Sequence, residues 1–189
     1  DYRYYLDLQR LYAELLGRDE ELQLEILQKA PSDVQGRWQI TAINARLLVK
    51  LGRYDEALDI LQRHRFFPWE EQRDYRWIYA DCLVGKAQAA AEAGDHVTAL
   101  AYLESAMAYP SNLGIGRPAR PADAKIYWLA AVAAEKVGAK EKETSYLQMA
   151  ADEGGRPDSR SERVREAARY GALARERLAY SRQATPMSG

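Results

Sequence analysis

Cysteine is nearly absent: Cys82 is the one thiol in 189 residues. A lone cysteine builds neither a disulfide framework nor a thiolate metal cluster, and its place inside an apolar helical stretch reads as a small buried residue. Histidine is almost as scarce. His64 and His96 stand 32 residues apart, with neither an HExxH nor a CxxC partner to make a metal site of them. No apolar run reaches the roughly 20 residues that span a bilayer, and no charged start with an apolar centre marks a secretory signal. A net charge of −1, from 27 basic and 28 acidic side chains, gives no bulk attraction to nucleic acid or to an anionic membrane. The GxSxG elbow, the P-loop and Cys-His signatures are missing as well. No catalytic residue, cofactor or metal is therefore expected in this segment, which reads as non-enzymatic and cytoplasmic, while the sequence decides nothing about enzymatic activity of a longer polypeptide that contains it. Its opening on Asp1 and not Met reads as a segment of a longer protein.

What is present is a recurring phrase. LGRYDEALDIL at 51–61 returns as AGDHVTALAYL at 93–103 and more faintly as VGAKEKETSYL at 137–147. Each has a glycine at a turn and apolar residues at helical spacing after it, the pattern of one helix ending and a second beginning. Helices are expected over 2–16 and 20–29, 38–50 and 55–62, 75–93 and 97–109, and 124–137 and 140–152. Asp19 and Asp95 stand where an N-cap would accept bonds from orphan backbone N–H groups. The predicted architecture is all-α, with hairpins at about 2–30, 36–63, 75–109 and 123–152. A helix at 159–182 follows, with Val164, Ala167, Ala168, Gly171, Ala174 and Leu178 along one side and a charged opposite side, suited to cap the array. Between 158 and 182 seven arginines face four acids, read as a solvated face in preference to an anion site. Residues 183–189 read as a disordered tail.

The turn glycines Gly17, Gly52, Gly94 and Gly138 are separated by 35, 42 and 44 residues, near the period of about 34 of tetratricopeptide repeats. The chain resembles that family. In the second hairpin Ala45 and Ala57 fall on its small-residue positions and Tyr54 on its aromatic position. The third has Ala87 and Ala99, with His96 for the aromatic. The fourth keeps Ala131 but has Glu143 where the second small residue belongs, and the first has Arg10 and Leu22. The resemblance implies one solenoid over 1–182, a right-handed superhelix of antiparallel hairpins whose groove binds protein. Asn44, Arg46, Lys86 and Gln88, flanking the small positions, are its candidate contacts.

The second and third intervals exceed the repeat period, and the extra residues fall in two connections. RHRFFPWEEQRD at 63–74 offers Phe66, Trp69 and Glu70, aromatics beside carboxylates as in sugar or peptide sites; core filling by the aromatics is the competing reading. YPSNLGIGRPARPAD at 109–123 offers Asn112, Arg117 and Arg120. Its prolines and glycines predict a shaped loop, and no strand precedes its GIG, which removes a dinucleotide fingerprint. LGRYDEAL, FFPWE and YPSNLGIGRP before DAKIYWL together resemble the C-terminal repeat region of an uncharacterised bacterial family. In it a β-sandwich domain of unknown function, similar to galactose mutarotases, precedes the repeats; the chain departs from it at Phe67, Glu71 and Gln72. Two functions follow as expectations. The first is a non-catalytic docking module for a partner protein or a neighbouring domain of the same polypeptide. In the second, loops 63–74 and 109–123 complete a carbohydrate site with the β-sandwich. A purely structural spacer is the third reading.

Overall fold

The computed structural model describes residues 1–15, 19–66 and 74–184. All regular structure among the described residues is helical: α1 (Tyr2–Leu15), α2 (Glu20–Gln28), α3 (Ser32–Gln35), α4 (Trp38–Lys50), α5 (Tyr54–Arg63), α6 (Asp74–Glu92), α7 (His96–Ala106), a 3-10 turn (Ser111–Leu113), α8 (Ala124–Lys136), α9 (Lys140–Glu153) and α10 (Glu162–Ala184). The short α3, unforeseen in the sequence, lets Gln35 donate to the carbonyls of Gln28 and Ala30 at 2.7 and 2.6 Å, satisfying orphan acceptors near the end of α2. Helix α10 extends into the stretch expected to be a tail, and 185–189 lie outside the described residues.

Three of the four turn glycines are described, and they close their helices identically. Gly52, Gly94 and Gly138 have φ of 73°, 81° and 74°, a region open to glycine at little steric expense. The N–H of the following residue donates five residues back each time, Arg53 to Leu48, Asp95 to Ala90 and Ala139 to Ala134, at 2.8, 2.9 and 2.8 Å. That is the Schellman closure, which satisfies the last carbonyls and turns the chain sharply. The next helix then packs back on its predecessor, α5 on α4 and α9 on α8. Asp19 and Asp95 cap their helices as expected, each accepting at 3.0 Å, from the N–H of Leu22 and of Thr98.

The chain folds as two compact units. The first comprises 1–85 and 109–116, the second 86–108 and 117–189, so the division falls inside α6 and again inside the 109–123 loop.

In the first unit Ala45 and Ala57 are fully buried, which lets α4 and α5 approach closely. Tyr54 lies across Gly85 of α6: a Cβ built there would sit 2.2 Å from Tyr54 Cζ. The glycine, an unfavourable residue in mid-helix, makes room for the ring. Gln9 and the buried Gln23 bond at 2.7 Å between α1 and α2.

In the second unit α8, α9 and α10 pack around Ala124, Tyr127, Ala131, Leu147, Ala150, Ala167 and Ala174. Backbones come unusually close here. A Cβ on Gly155 would lie 2.2 Å from Val164 O, and one on Gly171 would lie 2.8 Å from Gly154 Cα. Glu143, at the position where the repeat pattern has a small residue, is buried with 3% exposure. Its carboxylate accepts from Lys140 at 2.9 Å and from Arg177 of α10 at 2.9 Å, and Arg177 also reaches Glu135 of α8 at 2.8 Å. One guanidinium thus ties three helices. Burial pushes the Glu143 carboxyl up, and the Lys140 and Arg177 cations outweigh that and hold it below the usual range.

Cys82 is buried, as its context indicates. The tyrosines divide: Tyr75 and Tyr127 are core residues, whereas Tyr4 and Tyr180 are largely exposed.

Candidate functional site

The residues proposed from the two inserted connections are taken up differently. Phe66 is buried and stacks on Tyr75 with ring centroids 4.0 Å apart. Trp69 and Glu70 lie outside the described residues. The Asn112 amide donates to Leu61 O at 2.8 Å and to His64 O at 3.0 Å, while its backbone carbonyl accepts from the Phe66 N–H at 2.7 Å. Both amide donors are engaged, and the 3-10 turn is thereby fastened to the end of α5 within the first unit, with Leu113 buried beneath it. Phe66 and Asn112 are thus brought together. Arg117 and Arg120 belong to the second unit and are exposed; Arg117 donates to the Tyr127 hydroxyl at 2.8 Å. On α10, Arg165 donates to the carbonyls of Ser159 and Arg160, Arg175 to that of Ala151, and Arg177 serves the ion pairs above, which takes up part of the charge read as a solvated face.

Beside Arg117 lies a pair of carboxylates that sequence spacing did not indicate. Asp123, just before α8, is 1% exposed, and the residue before it, Ala122, has a left-handed φ of 62°. Glu153, the last residue of α9, has both carboxylate oxygens shut off from solvent without a well-aligned donor. Burial, reinforced by the Asp123 charge, pushes the Glu153 carboxyl up to about 7, although the N–H groups of Asp123 and Ala122 and the Arg117 charge pull it down. Among the described residues no cluster of three or more His, Cys, Asp or Glu side chains is placed to hold a metal ion, and no helix is long and apolar enough to cross a membrane.

The groove candidates also separate. Asn44, half-buried with Oδ1 unpartnered, and the exposed Arg46 lie in the first unit. In the second, the Lys86 ammonium sits 4.9 Å from the centre of the Tyr102 ring, and Gln88 lines a pocket. This cavity of about 120 Å³ is formed by Ala87, Gln88 and Ala91 of α6, His96, Ala99 and Leu103 of α7, and Leu129, Val132, Ala133 and Lys136 of α8. Its walls are almost wholly apolar. The alanines set its depth, because each leaves space a longer side chain would fill. As contacts, sequence reasoning reached Gln88 but not Leu129, Val132, His96 or Lys136. The available signal was Leu129 and Val132, two partly exposed apolar residues three apart on a helix whose other apolar face is buried. Of two further clefts, the one at α2 with Arg53 is lined mainly by charged and polar groups, whereas the one between α9 and α10 adds Leu147 and Leu178 to its polar residues and presents more apolar than polar surface. Set against family models, curated proteins and solved structures, the chain matches none of them.

Proposed function

We propose that this chain is a tetratricopeptide-type docking module, its hairpins the repeats of a right-handed superhelix, and that it binds a protein segment without catalysing a reaction. The segment belongs to a partner or to another part of the same polypeptide. One observation carries the reading: the pocket of α6, α7 and α8 is apolar, open at the surface and filled by no side chain of the described residues. An apolar concavity of this kind is a site for an incoming apolar group. The repeated glycine closures and the buried Ala87 and Ala99 support the repeat assignment.

Selection of peptides from a random displayed library against the full chain tests it. The enriched sequences are expected to share an apolar anchor and to lose binding to Val132→Glu, a variant whose melting temperature stays near that of the parent. Peptides that bind Val132→Glu undiminished, or a library with no enrichment, would overturn the docking reading.

A further inference from the structure

The pocket also indicates the chemistry of its occupant. Its polar lining consists of Gln88, His96 and Lys136, with no carboxylate among the ten residues. Elsewhere in the second unit three lysines face glutamates, Lys125 pairing with Glu166 at 2.8 Å, Lys140 with Glu143 at 2.9 Å and Lys142 with Glu104 at 2.7 Å, and Lys86 lies over the Tyr102 ring. Lys136, exposed in the last turn of α8, has no such partner among the described residues. A cation that meets no acid among the described residues, at the mouth of an apolar cavity, is a complementary surface for an incoming acid. Size adds a second constraint. At about 120 Å³ the cavity is smaller than the roughly 150 Å³ apolar cavity that takes up benzene, which suits a branched aliphatic side chain and not an indole.

We infer that the segment docking here is a short acidic peptide stretch with one aliphatic anchor, the anchor entering between Leu129, Val132 and Leu103 while an acidic side chain beside it meets Lys136. This rests on the docking reading above and specifies its partner. The acid is a side chain within the segment, so a free C-terminal carboxylate is not required.

Three end-blocked peptides, each with a central leucine and flanked by acidic, neutral or basic residues, are titrated into the full chain. Binding is followed by fluorescence anisotropy and by the methyl NMR signals of Leu129 and Val132. The acidic peptide is expected to bind at least roughly fivefold more tightly than the basic one, the scale of one surface ion pair. The preference should shrink as salt is raised and reverse in Lys136→Glu. Replacing the central leucine by serine in the acidic peptide should abolish the methyl shifts.

If all three peptides shift Leu129 and Val132 with equal affinity, docking stands and the acidic specificity is wrong. Methyl signals that none of the peptides moves sink the pocket reading with it. Undiminished binding by the serine peptide would reduce the interaction to bulk charge attraction and overturn the anchored segment.

Discussion

At Asn112 a single side chain holds two carbonyl groups that lie 51 and 48 residues away in sequence. Asn112→Ala leaves Leu61 O and His64 O without those donors, and stability measured by chemical denaturation should fall by about 1–3 kcal/mol, the cost of unsatisfied buried polar groups. Asn112→Asp should be worse, because it sets an acceptor against two acceptors. At Glu153 the expected effect depends on pH. The folded carboxyl titrates at about 7, above the ordinary 4.5, so the folded state retains a proton that the unfolded chain releases. The stability this represents is complete below pH 4.5 and is lost as pH rises through 7. Melting followed from pH 5 to pH 8 should show the parent chain losing on the order of 2 kcal/mol relative to Glu153→Gln, with partial solvation discounted. Parallel curves for the two proteins would refute the assignment.

At the scale of the element, the seating of α10 is the most exacting feature. Gly155→Ala places a methyl group against the Val164 carbonyl, a backbone atom that cannot swing aside, and should destabilise the second unit by about 2 kcal/mol or more. Thermal unfolding would detect it as a shift of several degrees. Glu143 makes a related test. Glu143→Ala restores the small residue of the repeat pattern yet should destabilise, since Arg177 loses one of its two acids; a double-mutant cycle with Arg177→Met should give a coupling energy of about 1 kcal/mol or more. The helix ends were legible in the sequence because glycine at φ near +75° and aspartate at an N-cap are local requirements, met at Gly52, Gly94, Gly138, Asp19 and Asp95. The connections were less so. Burial of Phe66 in the core was an alternative already present in the residues, whereas its stacking on Tyr75 and the acceptors of Asn112 depend on how distant stretches meet. The pocket takes its walls from three helices, so Ala87, Ala99 and His96 stood out only as repeat positions and Gln88 alone as a candidate contact. Glu153 and Asp123 escaped because 30 residues separate them.

For the whole molecule, the two compact units are interleaved along the chain, each drawing on two separate stretches. A fragment of residues 1–85 would lack the Asn112 amide and the buried Leu113 that complete the first unit. Such a fragment should melt with low cooperativity by circular dichroism, and attaching 109–116 through a flexible linker should sharpen the transition. A fragment that melts as sharply as the full chain would show the 109–116 stretch to be dispensable. The same geometry sets an order of assembly. The glycine closures join residues five apart, and such contacts form quickly because little chain entropy is lost in closing them. The bonds of Asn112 must wait until about fifty residues have been brought round. In refolding, the hairpins should therefore arise first and the 3-10 turn dock last, leaving Leu113 and the carbonyls of Leu61 and His64 exposed to solvent until that late step.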